Sequence, residues 1–398
     1  MTSTARTVNI RLAPFGESIF TTMSRLATEH NAVNLGQGFP DFDPPAFVRE
    51  AATRALAGGM SQYSRAFGLP QTNRAISKYS SRSLGFEADP DREVTVTAGC
   101  TEAIAATLMG TLNHGDEVVI LDPSYDSYAA CVVMAGAVPR RVRLEGPAFR
   151  ITEPLLRAAC SPRTRAILFN SPHNPTGRMF DREECAVVAR LANEFDCLII
   201  SDEVYDEITF ARAHSSIAQL PGMRARTVVL GSLGKTFSCT GWKIGWAIAP
   251  REITQAIRCA HQFLTFCAPT PMQQAAADAL EAVSRDGSYL DELRRDYSTR
   301  RARMLGILEG VGFQCIHPEG SYFVIANAQG AGFHDDVTAA KVLVRAGIAA
   351  IPASAFFDPV NQDRRWLRFA FCKQESTLAL AESRLNCTPL SELAKLAV

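Results

Sequence analysis

The chain has no apolar run long enough to span a bilayer, and its opening, MTSTARTVNIRLAPFGESIF, has none of signal-peptide length. The expected location is therefore the cytoplasm. No charge sign is in excess: Lys plus Arg (41) matches Asp plus Glu (41). Without a global field, nothing draws the chain to nucleic acid or to an anionic membrane. None of the eleven cysteines, spread from Cys100 to Cys387, forms a C-x-x-C pair, and their number is odd. A disulfide framework or zinc site needs clustered spacing, so these are read as reduced, mostly buried apolar residues, and no metal is expected. Internal repeats, low-complexity tracts and flexible linkers are absent too.

What is there is ordinary globular composition, 47% hydrophobic and 21% charged over 398 residues, enough for two or three domain-sized units. Short apolar runs alternate with amphipathic stretches, the pattern of a parallel sheet covered by helices. The predicted strands are Val94–Thr97, Glu117–Leu121, Ala166–Phe169, Leu198–Ser201, Thr227–Leu230 and Ile244–Ala249. Predicted helices fill Thr101–Leu112, Arg182–Glu194 and Thr254–Phe263. After Asp286 the pattern changes: a charged helix over Leu290–Glu309, a strand at Ser321–Ala326, a helix near Asp336–Ala346, and strands at Ile348–Ile351 and Trp366–Phe371. The fold class is thus α/β, divided into an N-terminal segment (1–44), a large domain (45–287) and a smaller α/β domain (288–398). The Pro- and Gly-rich NLGQGFPDFDPP, from Asn34 to Pro45, reads as a stiff ordered loop.

Chemistry concentrates at predicted strand ends. SLGKTFSCTGWKIGW places Lys235 in a Gly-containing turn just past the strand Thr227–Leu230, where open α/β sheets put their ligands. A partly desolvated lysine there can lose its proton and attack a carbonyl to form a Schiff base. Ser232 and Lys243 offer a hydroxyl and a cation, both suited to phosphate; read alone, the segment is equally a solvated loop lysine. IISDEVY puts Asp202 at the end of a buried strand, where a carboxylate needs a partner. A protonated pyridine nitrogen is such a partner, and it turns the ring into an electron sink. Asn174, in NSPHNPTG, and Tyr205 are placed to hydrogen-bond a phenolic ring oxygen. Taken singly, Asp202 is also a helix cap or ion-paired acid and Asn174 an Asx-type turn. VTAGCTE passes from strand into helix, so amides over Gly99–Thr101 and the Thr101 hydroxyl make a phosphate cradle. Tyr125 offers either a stacking face or plain packing.

With NLGQGFPDFDPP, DPSYDSY, SPHNPTG, SDEVY, the lysine segment, HQFLTFCAPTP, AIPASAFFD and RFAFCK in order, the chain resembles the fold-type I, class I/II aminotransferases. The resemblance runs nearly its whole length, toward the kynurenine, glutamine and methionine aminotransferase group. It implies pyridoxal 5′-phosphate as cofactor, Lys235 as its Schiff-base lysine, and Asp202, Asn174 and Tyr205 as ring partners. Ser232, Lys243, Gly99, Cys100 and Thr101 would hold the phosphate, and Tyr125 would stack on the ring. Arg368 would clamp the substrate α-carboxylate beside Gly38 and Asn174. Tyr63 would reach the phosphate of a neighbouring subunit. Phe20, Phe266 and Cys267 would line the side-chain pocket, the last two across a homodimer. PSYDSY, HQFLTF and AIPASAF are similar to bacterial methionine aminotransferases, and the succinyldiaminopimelate aminotransferases share several of these segments. The expected activity is ping-pong transfer from methionine, glutamine or an aromatic or kynurenine-type donor to a 2-oxo acid. The alternatives are a cysteine-S-conjugate β-lyase, an N-succinyldiaminopimelate aminotransferase and, from another class, the sensing domain of a transcriptional regulator.

Overall fold

The computed structural model describes residues 9–387 and 389–395, so the first eight residues of the expected N-terminal segment, and Thr388 and residues 396–398 of the expected smaller domain, lie outside it. In chain order the strands are β1 (Val33–Asn34), β2 (Val94–Thr97), β3 (Glu117–Asp122), β4 (Val138–Arg143), β5 (Thr164–Asn170), β6 (Leu198–Asp202), β7 (Thr227–Ser232) and β8 (Gly245–Ile248). The later ones are β9 (Gln314–Ile316), β10 (Phe323–Asn327), β11 (Ile348–Ala349), β12 (Ile351–Pro352) and β13 (Trp366–Ala370).

Seven of them make one sheet in the order β2-β8-β7-β6-β5-β3-β4. The β3–β7 neighbours pair in parallel, whereas β8 runs antiparallel to both β2 and β7. Helices cover both faces, so the inner strands are buried throughout and read as apolar runs. Val118 and Ile120 join one core cluster while Val119 and Leu121 join another, the period-two consequence of a sheet buried twice. The edge strand β4, VPRRVR, escapes sequence reading because it carries three arginines and only Val142 is buried.

The later strands form a four-stranded antiparallel sheet, β12-β13-β10-β9, and a parallel pair, β1-β11. The predicted strand Ile348–Ile351 is corrected here. Ile348–Ala349 pairs with Val33–Asn34, Ile351–Pro352 pairs with β13, and the chain changes sheet at Ala350. The predicted strand Ser321–Ala326 shifts to Phe323–Asn327, because Ser321 takes a left-handed backbone (φ 60°). The charged helix spans Ser288–Gly310. Cysteines need a correction too: all eleven are free, but only Cys131, Cys197, Cys239 and Cys372 are buried. Among the described residues, no helix is long and apolar enough to cross a membrane.

Candidate active site

Because β2, β3, β5, β6 and β7 all point the same way, their carboxyl ends share one edge of the sheet. A cavity of about 290 Å³ opens there. Gly99, Cys100 and Thr101 reach it from the end of β2, and Tyr125 from the end of β3. Asn174 follows β5, Asp202 closes β6, Tyr205 follows three residues later, and Ser232 and Lys235 end β7. Lys243 enters from the turn before β8. From outside this sheet come Phe20, Gly38 and, on β13, Arg368. These thirteen expected site residues therefore meet in one cavity. Tyr63, Phe266 and Cys267 do not line it.

Lys235 is not in a plain turn, as the sequence suggested, but is the third residue of a one-turn helix, Leu233–Thr236. Ser232 caps that helix, its Oγ accepting from the Gly234 amide at 3.1 Å. The cap fixes the direction in which Lys235 leaves the strand. Burial lowers the Lys235 ammonium below its ordinary value, with Cys372 and Asp202 opposing that shift. Its Nζ lies 5.7 Å from the ring centres of both Tyr205 and Tyr322. Desolvation thus favours a neutral, nucleophilic amine, the state needed to attack a carbonyl.

Asp202 is buried, and burial raises its carboxyl above the ordinary value. Three donors oppose that: Tyr128 Oη at 2.6 Å on Oδ2, the Val204 amide at 3.3 Å on Oδ1, and the Cys100 thiol at 3.7 Å, also on Oδ1. Asn170 Nδ2 donates 2.8 Å to the Asp202 carbonyl, while its Oδ1 accepts from the Asn174 amide at 2.8 Å. Two neighbouring strand ends are thereby locked together. Tyr125 packs edge-on to Tyr128 (5.6 Å, 86°), and its phenol is pushed up to about 12, chiefly by burial and then by Asp126. The Tyr205 phenol is also raised by burial.

At the β2 end, Gly99 has φ +80°, and a Cβ there would lie 3.0 Å from Lys243 Nζ. Only glycine leaves the helix start of Cys100–Thr111 and the Lys243 ammonium facing the same small space.

Arg368 is 1% exposed and packs 4.1, 4.8 and 5.1 Å from the rings of Phe323, Phe356 and Phe20. Its Nη1 donates to Asn174 Oδ1 at 2.9 Å and its Nη2 to the Gly36 carbonyl at 2.7 Å, while Nε has no partner. Burial pushes the guanidinium down to about 10, still charged at neutral pH. The loop before it is seated by Tyr322, whose Oη donates 2.6 Å to the Gly38 carbonyl, and a Cβ on Gly38 would strike Phe323 at 2.8 Å.

Sequence reasoning missed Tyr128, Asn170, Tyr322 and Phe323. Two of them carried a signal: Tyr128 follows Tyr125 by three residues at the start of the helix Ser127–Met134, and Asn170 opens NSPHNPTG as the polar residue that closes β5. Tyr322 and Phe323 are set by contacts between distant segments.

Residues 30–383 match the family described as aminotransferase class I and II. The chain is 41% identical over 388 residues to a probable N-succinyldiaminopimelate aminotransferase of Mycobacterium tuberculosis, covering 94% of this chain and 97% of the relative. It is 38% identical over 379 residues to the methionine aminotransferase of Escherichia coli, covering 94% and 97%. The solved structure of the M. tuberculosis N-succinyldiaminopimelate aminotransferase superposes with a TM-score of 0.92 at 41% identity, covering 96% of this chain and 99% of that one. The chain belongs to the class I and II aminotransferases and has their fold type I architecture. It is an enzyme that moves an amino group from an amino acid to a 2-oxo acid.

Proposed function

We propose that the cavity holds pyridoxal 5′-phosphate and that the enzyme uses it to transfer the amino group of methionine, glutamine or an aromatic or kynurenine-type L-amino acid to a 2-oxo acid. The observation that carries this reading is the convergence of three groups on one cavity: a desolvated amine (Lys235), a donor-held carboxylate (Asp202) and a buried guanidinium (Arg368). The donor set fits the cofactor. Asp202 suits a protonated ring nitrogen, Asn174 and Tyr205 the phenolic oxygen, and Tyr125 the ring face. Gly99, Cys100, Thr101, Ser232 and Lys243 suit the phosphate at a helix start. When bound, the cofactor supplies an electron sink for charge at the amino acid's α-carbon. With that group in place, Lys235 Nζ would take the α-proton and hold it for return, Arg368 would orient the α-carboxylate, and Asp202 would keep the ring nitrogen protonated.

Donor choice follows from charge. The cations lining the cavity are Lys235, Lys243 and Arg368, each already assigned, so a second carboxylate on the donor has no partner among them. Phe20 and Phe323 offer apolar, polarizable contact instead, favourable to a thioether by about 0.3–1.5 kcal/mol each. A donor screen against a panel of 2-oxo acids tests this. Methionine, glutamine or aromatic donors should exceed aspartate in kcat/KM. A wide margin for aspartate, or for a succinylated diamine, sinks the assignment. Pyruvate and free thiol from a cysteine conjugate, without any 2-oxo acid present, would mark elimination instead.

We infer further that the enzyme is a homodimer with shared sites. Tyr63 (82% exposed), Phe263 (86%), Leu264 and Phe266 expose an apolar patch, with the Tyr63 and Phe266 rings 5.2 Å apart. Their failure to line the chain's own cavity fits a role, with Cys267, in the site of a second copy. Residues 45–287 are taken as the cofactor-binding domain and 288–398 as the smaller one, with 1–44 as the segment beside the site. Free, exposed thiols such as Cys259 and Cys387 suit the reducing cytoplasm.

A further inference from the structure

Behind the helix start Cys100–Thr111 lies a buried ion pair. His261, on the helix Arg251–Leu264, has no exposed side-chain surface. Its Nδ1 stands 2.6 Å from Glu102 Oε1 and its Nε2 2.7 Å from the Ala66 carbonyl oxygen. Both neighbours are acceptors. A neutral imidazole would leave one ring lone pair pressed against an oxygen, so the geometry requires both nitrogens to carry protons. Burial would raise the Glu102 carboxyl, but the bonds from His261, from Thr265 Oγ1 (2.6 Å, on Oε1) and from the Ala98 amide (on Oε2) outweigh it and hold the group below its ordinary value, favouring the anion. The other cations nearby are engaged elsewhere. Arg258 bonds to the Val94 carbonyl (2.7 Å) and Thr95 Oγ1 (3.2 Å), and Arg65 to Asp91 (2.9 Å) and the Gly68 carbonyl.

Glu102 sits in the first turn of the helix whose start, Gly99–Thr101, is assigned to the phosphate. An uncompensated carboxylate in that turn would repel a phosphate dianion at short range. We propose that His261 is a positioning residue whose fixed imidazolium neutralises Glu102 and thereby sets the phosphate affinity of this helix start. The inference rests on the cofactor reading above. The same histidine also ties the loop carrying Tyr63 and the turn carrying Phe266 to that helix, through Ala66 and Thr265.

The test compares pyridoxal 5′-phosphate with pyridoxal, which lacks the phosphate, by fluorescence titration of the full chain. In His261→Gln the affinity for pyridoxal 5′-phosphate should fall at least about tenfold, while that for pyridoxal changes less than about twofold, because only the phosphate senses the bared Glu102 charge. The double variant His261→Gln/Glu102→Gln should recover most of the loss. Equal losses for both ligands, or no recovery in the double variant, would overturn the proposal. Should the variants not fold, ¹⁵N NMR of wild-type His261 decides: both ring nitrogens protonated at neutral pH supports the proposal, and a neutral tautomer refutes it. A folded wild type that binds neither ligand ends the proposal by a different route, through the cofactor reading itself.

Discussion

Tyr128→Phe removes one oxygen and keeps the ring, including its edge contact with Tyr125. What is lost is the 2.6 Å donation to Asp202 Oδ2. A hydrogen bond to a charged group contributes about 1.5–3 kcal/mol. At about 1.36 kcal/mol per unit, the Asp202 carboxyl should rise a further ~1–2 units. It starts from a value already raised by burial, and the donors left behind are the longer contacts from Val204 and Cys100. The sign is unambiguous. A raised carboxyl is neutral over a wider range at low pH, and a neutral Asp202 cannot hold a proton on the ring nitrogen. The acid limb of kcat/KM should therefore move up by ~1–2 units while the alkaline limb stays in place. The assay is the pH profile of kcat/KM for methionine from about pH 5 to pH 10, wild type against variant, since this ratio reports the free enzyme's groups. A fully active variant with an unmoved acid limb would show that Tyr128 does not tune Asp202.

Lys235→Ala should still bind pyridoxal 5′-phosphate but lose about three or more orders of magnitude in kcat, read by single-turnover kinetics; a modest loss would remove Lys235 from the proton transfer. Arg368→Lys replaces a planar fork by one ammonium among three rings and should raise KM for all donors by about 10–100-fold, leaving the methionine-to-phenylalanine ratio unchanged. A selective effect on one donor would place Arg368 at the side chain instead. Gly99→Ala forces φ +80° with ψ 167°, a region almost exclusive to glycine, on an L-residue and pushes Lys243 aside, costing about 1–3 kcal/mol of backbone strain. It should appear as a lower Tm in calorimetry and weaker cofactor phosphate binding; an unchanged Tm contradicts it. Lys235→Ala and Tyr63→Ala subunits, each impaired alone, should regain activity on mixing, because one site of each hybrid is intact. No recovery after verified exchange, or a fully active monomer in light scattering, refutes site sharing.

Sequence alone determined the inner strands and what stands at their ends. A strand buried on both faces has to be an apolar run, and a polar residue closing it needs a partner; hence β3, β5, β6 and β7 were legible, and with them Asn174, Asp202 and Lys235. The edge strand β4 and the split at Ala350 were not, because an edge keeps its polar side chains and a change of sheet leaves no local mark. Only the tertiary structure decided which distant residues complete the site. Tyr128 meets Asp202 across 74 positions, Arg368 meets Asn174 across 194, and His261 meets Glu102 across 159. Tyr322 and Phe323 owe their places to packing of β10 and its neighbours over the cavity. Strand ends are set by local pattern, since periodicity and burial act residue by residue. The partners that fix their charge come from long-range closure, and no local period encodes it.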